Sequence, residues 1–67
     1  MVTVTVNGER YDLPQPMTLS ALLERLEVDA RRVAVGYNGE VADRERYGEI
    51  VVRDGDRIDI VHMVGGG

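Results

Sequence analysis

The chain has 67 residues, with twelve acidic residues against eight arginines, one histidine and no cysteine. A chain this short forms one small domain that depends on its hydrophobic core, because disulfides and thiolate metal sites are excluded. The acidic balance is atypical of a nucleic-acid-binding protein, and we expect no membrane span.

The first residues predict a β-hairpin. Val2, Val4 and Val6 alternate with threonines, which is the period of a half-buried strand. The pair Asn7-Gly8 that follows is typical of a two-residue hairpin turn. Because the sequence enters this strand directly, we also expect no signal peptide and a cytoplasmic protein. The predicted register pairs Val6 with Glu9, Val4 with Tyr11 and Val2 with Leu13, with Tyr11 in the core.

A helix of about ten residues follows "PQP", since proline ends the second strand. Thr18 is a natural helix cap. Four leucines recur at the spacing of one helical face, and polar residues cover the other face. We expect this apolar face to pack on the hairpin as core: Leu19, Leu22, Leu23 and Leu26.

The second half predicts three further strands. "RRVAVGYNG" indicates a third strand that ends at Asn38-Gly39. A short helical turn is expected at residues 43–47 and a short strand at residues 50–52. Asp54-Gly55 then forms a turn before a final strand at residues 57–64. We interpret the acids of "DGD" as turn residues.

The alternation of the final strand places two apolar residues on the face that points away from the core. Ile58 and Ile60 alternate with charged residues and are expected to face inward. The same phase turns His62 and Val64 inward, and it turns Val61 and Met63 outward. An exposed apolar pair is typical of a contact surface.

The order of elements predicts a two-layer α+β domain. Strand, strand, helix, strand, short element and strand is the order of the ubiquitin-like β-grasp. We expect one helix packed across a mixed four- to five-stranded sheet, with the first and last strands parallel at its centre. The domain is expected to span residues 1–64, followed by a flexible glycine tail at residues 65–67.

The tail carries one functional group, the carboxylate of Gly67. Glycines lack side chains, so this segment suits a channel too narrow for a Cβ atom. A carboxylate must be activated before it reacts, for instance as an acyl-adenylate made by a separate ATP-using enzyme. The alternative is that the glycines have no function and are a frayed end or a cloning scar, because chain termini are often poorly ordered.

The chain resembles the bacterial ubiquitin-like sulfur carriers, and most closely the thiamine-pathway ThiS family. The resemblance lies in "VNGE", "TLSALLERL", "VAVGYNGEV" and "RDGDRIDIVHMVGGG". Where that family often has Val-Pro-Arg and then Trp, this chain has Ala42-Asp43-Arg44 and Tyr47, so the local turn departs from the family's pattern. The tail is not affected by this departure.

The resemblance implies a carrier and not an enzyme. A ThiF-like adenylyltransferase would adenylate Gly67, and a persulfide or cysteine desulfurase would supply sulfur for a thiocarboxylate. That group would deliver sulfur to a ThiG-like thiazole synthase. ATP would be used by the activating partner, and no bound cofactor or metal is expected. The expected partner-binding residues are Val61 and Met63, which the resemblance and the strand phase both favour, together with Val64, Gly65 and Gly66.

Three alternatives stay open from the sequence. The same tail chemistry is used by the small subunit of molybdopterin synthase. A protein modifier joined to its targets through Gly67 is a second possibility. The third is a β-grasp binding module whose glycines are idle. Each sulfur-carrier reading requires Gly67 to be the free carboxyl terminus.

Overall fold

A computed structural model of the chain describes residues 1–63. Within these residues it has one α-helix, α1 (Leu19–Arg25), and two 3-10 helices, Ala30–Arg32 and Arg44–Arg46. Its strands are β1 (Val2–Val6), β2 (Glu9–Leu13), β3 (Met17–Thr18), β4 (Val33–Tyr37), β5 (Glu40–Val41), β6 (Val51–Val52) and β7 (Arg57–His62).

The main sheet is mixed and has the order β2-β1-β7-β4-β5. β1 and β7 run parallel, and the other neighbours in this sheet are antiparallel. The first and last strands therefore lie side by side at the middle of the sheet. This arrangement, with one helix against a mixed sheet, confirms the predicted β-grasp.

The amino-terminal hairpin has the predicted register. Val2 lies opposite Leu13, and Val6 lies opposite Glu9. At the turn, Asn7 has a φ of 50° and Gly8 a φ of 83°, which matches the left-handed geometry of a tight hairpin turn. β1 and β2 are thus joined by the local signal that the sequence carries.

Helix α1 begins as predicted and ends earlier. The Thr18 hydroxyl accepts a hydrogen bond from the Ala21 N–H at 3.1 Å, which caps the first turn. The helix ends at Arg25 because Glu27 adopts a left-handed φ of 59°. The Val28 N–H then donates to the Leu23 carbonyl at 2.9 Å, which closes the helix in a Schellman-type turn.

The core lies between α1 and the main sheet. Three of the four predicted leucines are fully buried, and Leu26 packs against the core at its edge. The buried apolar side chains are Val2, Val4, Val6, Leu13, Leu19, Leu22, Leu23, Val33, Val35, Tyr47, Val52, Ile58 and Ile60.

Two residues with an inward strand phase are exposed, and the core prediction for Tyr11 is wrong. Tyr11 is 36% exposed although it lies opposite the buried Val4, because β2 is an edge strand and only Leu13 of that strand is buried. His62 is exposed as well. It lies in the last rung of β7, past the residues that pair with β1. At both positions the side chain is on the inner side of the sheet, but other elements do not cover it.

The sequence does not predict two of the two-residue strands, β3 and β5, whereas β6 lies within the strand predicted at residues 50–52. β3 and β6 form a separate two-stranded pair, with Met17 opposite Val52. β5 pairs with the end of β4 through the turn at Asn38-Gly39. A strand of two residues contains no alternation, so its pairing with another strand defines it.

Candidate functional site

The end of β7 carries exposed apolar side chains. Ile58 and Ile60 are buried in the core, so the alternation of the strand turns Val61 to the opposite, open face of the main sheet. Val61 is 61% exposed, and Met63, just after the strand, is 53% exposed. The outward position predicted for both residues is confirmed, and their role in binding a partner stays a prediction.

Neighbouring strands extend this apolar surface. Directly opposite residues of an antiparallel pair share one face of the sheet. Ala34 lies opposite Val61, and Gly36 lies opposite Val41, which is 84% exposed. We call the resulting surface the open-face patch, and it is formed by Ala34, Gly36, Val41, Val61 and Met63.

Gly36 lies in the middle of this patch without a packing requirement of its own. A Cβ atom added there would meet the Asp59 Cβ atom at 3.6 Å, which is an ordinary contact. The fold therefore tolerates a side chain at this position. Its absence leaves the patch flat at its centre, where the backbone of a partner can approach closely.

Charged side chains border the patch. The Arg57 Nε atom lies 3.4 Å from a carboxylate oxygen of Asp59 on the open face. Near the end of β7, Asp29 contacts Arg31 at 3.3 Å and Arg32 at 3.7 Å. Hydrogen bonds from the Arg31 backbone N–H and then from its side chain lower the pKa of Asp29. An apolar centre with a charged rim is the usual composition of a protein–protein interface.

The end of β7 is held from both sides. On one side, the Met63 N–H donates to the Arg32 carbonyl at 3.0 Å, which continues the ladder with β4 by one rung. On the other side, the Asn7 carboxamide contacts the backbone of Ile60 at 2.7 and 3.2 Å. Residues 61–63 are thus fixed relative to the sheet.

The start of β7 is held by a polar cluster around Asp56. Its carboxylate accepts hydrogen bonds from the Tyr37 hydroxyl, the Asn38 amide at 3.2 Å and the Arg53 N–H at 2.8 Å. Burial opposes ionisation of Asp56, but these hydrogen bonds outweigh it and lower its pKa. The hydrogen bond to Asp56, with burial, raises the pKa of Tyr37. The "DGD" segment is therefore structural, as predicted.

A cavity of about 220 Å³ lies beside β5, between Tyr37, Val41 and Arg46. Tyr37 lies opposite Ile58, whereas Val33 at the other end of β4 lies opposite His62. The cavity is therefore at the far end of β4 from the end of β7. Its lining does not include Val61 or Met63.

The predicted reactive residues lie outside the described part of the chain. Val64, Gly65, Gly66 and Gly67 follow Met63, the last residue that the structure describes. Within residues 1–63, no three metal-ligating side chains are grouped. No helix in that part is long and apolar enough to cross a membrane.

The fold and the exposed strand end define a class, the ubiquitin-like β-grasp domain with an apolar open face. Comparison with known proteins identifies the family within this class. The model of the ThiS family matches residues 4–67. The chain belongs to the ThiS family, and the family prediction from the sequence is confirmed.

Individual relatives agree with this assignment. The crystal structure of the thiamine biosynthesis protein ThiS from Geobacter metallireducens superposes with a TM-score of 0.87. That protein is 35% identical, and the match covers 98% of this chain and all of that one. "Sulfur carrier protein ThiS" of Bacillus subtilis is 42% identical over 50 residues, which is 75% of this chain and 76% of that protein.

A much longer relative also matches. "Thiazole synthase" of Paramagnetospirillum magneticum is 42% identical over 64 residues, or 96% of this chain. The chain spans about a fifth of the length of that relative, since the match covers 20% of it. A segment similar to this domain is therefore part of a protein named for thiazole synthesis.

Proposed function

We propose that this chain is a sulfur carrier protein of thiamine biosynthesis, with the Gly67 carboxylate as its reactive group. The observation that carries the proposal is the family match, which runs to residue 67 and so includes the three glycines. The exposed apolar surface at the end of β7 supports it, because a carrier must be recognised by the enzymes that load and unload it.

The chemistry has a loading stage of three steps and a delivery stage. First, a carboxylate oxygen of Gly67 attacks the α-phosphorus of ATP, and pyrophosphate leaves. A persulfide sulfur then attacks the carbonyl carbon of the acyl-adenylate, and AMP leaves. Finally, a thiol attacks the distal sulfur of this acyl disulfide, so that a disulfide forms and the thiocarboxylate is released. Because the loaded group is anionic and nucleophilic at sulfur, it can attack an electrophilic carbon of a substrate.

The chain is a stoichiometric co-substrate in this scheme and not a catalyst. A ThiF-like adenylyltransferase supplies the ATP chemistry, and a cysteine desulfurase or another persulfide donor supplies sulfur. A thiazole synthase receives the sulfur, which is consistent with the relative of that name that contains a similar segment. Since the first stage uses ATP, we place the reaction in the cytoplasm.

The open-face patch is the proposed contact surface for these partners. Val61 and Met63 are exposed next to the residues that carry the reactive carboxylate. A partner that covers the patch brings residues 64–67 towards its own active site. Gly65 and Gly66 are suited to a narrow channel because they have no side chains.

Intact-mass measurement tests the proposal. The chain is mixed with ATP, a ThiF-like adenylyltransferase and a persulfide donor. We expect a product in which one sulfur replaces one oxygen, and a chain lacking Gly66 and Gly67 should gain none. Failure of the full chain to gain sulfur would contradict the proposal. Growth of a deletion strain on thiazole then separates a thiamine role from a molybdopterin role.

A further inference from the structure

Both asparagines of the Asn-Gly turns bind the backbone of β7. Asn7 and Asn38 each have a φ of 50°, so both occupy the left-handed region of a tight turn. Asn38 contacts the first residue of β7, because its Oδ1 atom accepts from the Arg57 N–H at 2.8 Å. Asn7 contacts Ile60, close to the end of the strand. The two turns therefore hold opposite ends of β7.

The Asn7 side chain extends the ladder between β1 and β7 past the end of β1. The Asn7 N–H donates to the Ile58 carbonyl at 2.9 Å, as a strand residue would. The main chain then turns away at Gly8, and the Asn7 side chain makes the next hydrogen bonds to β7. The Oδ1 atom of Asn7 accepts from the Ile60 N–H at 2.7 Å, and its Nδ2 atom donates to the Ile60 carbonyl at 3.2 Å.

These two bonds matter because Ile60 is buried, with 7% of its surface exposed. A buried backbone N–H and carbonyl without partners destabilise the local structure. Among residues 1–63, the recorded pairing of β1 with β7 stops at Ile58. Removal of the Asn7 carboxamide would leave the last residues of β7 held by β4 alone, and the strand end would open more often.

We propose that Asn7 is a positioning residue for the tail chemistry, and this proposal rests on the proposed function. Asn7 keeps Ile60 in the sheet, which holds Val61 and Met63 in the open-face patch. It also fixes the point three residues after Ile60 from which residues 64–67 continue. A partner that recognises the ordered strand end binds only the fraction of molecules in which that end is closed.

The test compares Asn7→Gly with Asn38→Gly. Glycine accepts the positive φ of both turns, and each variant loses two side-chain hydrogen bonds to the region of β7. Amide hydrogen exchange is measured for Ile60. Steady-state adenylation by a ThiF-like adenylyltransferase is measured as the concentration of the full-length chain is varied.

We expect Asn7→Gly to speed exchange of the Ile60 amide about tenfold, which is the effect of losing one protein hydrogen bond. It should raise the KM for the chain by as much as the closed fraction falls, at most about tenfold, and leave kcat unchanged, because binding selects the closed strand end. Asn38→Gly should leave both the Ile60 exchange and the KM near their original values.

Two results would overturn the proposal. One is an unchanged exchange rate of the Ile60 amide in Asn7→Gly. The other is an equal increase of KM in both glycine variants, which would indicate a general loss of stability. If the unaltered chain is not adenylated at all, the proposed function fails. The exchange data then still decide whether Asn7 holds the strand end.

Discussion

Single side chains at the end of β7 connect the fold to its proposed use. Ile60 faces the core and Val61 faces out, so one strand both anchors the domain and presents an exposed apolar side chain. The period of a strand makes this division readable from the sequence. The remainder of the open-face patch could not be read in this way, because Ala34 joins it through pairing with the distant β7 and Val41 joins it through the two-residue strand β5.

A charge placed in the patch should weaken recognition by the activating enzyme. We expect Val61→Asp and Met63→Asp each to raise the KM for adenylation about tenfold, since about 1.4 kcal/mol of interface energy corresponds to that factor. Far-ultraviolet circular dichroism and thermal melting should stay unchanged, because both side chains are exposed.

Tyr11→Asp is the matched control for that prediction. Tyr11 is also an exposed apolar residue, but it shares the inner face of the sheet with Val4 at the β2 edge. We expect the KM for adenylation of the Tyr11→Asp variant to match that of the unaltered chain. An equal rise of KM in Tyr11→Asp would show that added negative charge alone, and not the patch, weakens activation.

Asp56 should contribute stability at neutral pH that is lost in acid. Its pKa in the folded state is lowered from its ordinary value of 3.8, so the folded state favours the carboxylate more than the unfolded state does. The stabilisation is complete above the unfolded pKa and disappears as pH falls through the folded pKa. We expect Asp56→Asn to lower the free energy of unfolding by about 1–3 kcal/mol at pH 7.

Urea denaturation at pH 7 and at pH 3 checks this prediction. The difference in unfolding free energy between the unaltered chain and Asp56→Asn should shrink at pH 3. Tyr37→Phe serves as the control, because it removes one hydrogen bond to Asp56 and leaves the carboxylate in place. An equally large difference for Asp56→Asn at both pH values would contradict the linkage.

At the scale of elements, the sequence predicted what is local and missed what is not. The hairpin, the cap of α1 at Thr18 and the turn at Asp54-Gly55 all follow from neighbouring residues. The two-residue strands β3 and β5 do not, because a strand of two residues has no periodic pattern. The exposure of Tyr11 was missed for a related reason, since burial depends on cover from other elements.

The end of α1 tests whether neighbouring residues determine where an element ends. Glu27 holds a left-handed φ of 59° that glycine adopts at no steric cost. We expect Glu27→Gly to stabilise the domain by about 0.5–1 kcal/mol in chemical denaturation. Its control is Glu24→Gly inside the helix, which should destabilise the domain by about 1 kcal/mol. A loss of stability in both variants would contradict the assigned helix end.

At the scale of the whole molecule, the fold and the family were predictable from the sequence. The proposed reactive end was predicted from the chemistry of its carboxylate and not from structure. The β-grasp follows from the order of elements, and membership of the ThiS family follows from motifs spread along the chain. The structure describes the domain up to Met63. The role of Gly67 therefore depends on the chemistry of a glycine carboxylate and on the family to which the chain belongs.

The transfer of labelled sulfur tests the central claim most directly. The chain is loaded with a heavy sulfur isotope on Gly67, purified, and mixed in single turnover with a thiazole synthase and its other substrates. We predict that the heavy isotope appears in the thiazole ring while the chain returns to its carboxylate mass. A thiazole that contains only light sulfur, with the label still on the chain, would contradict the account.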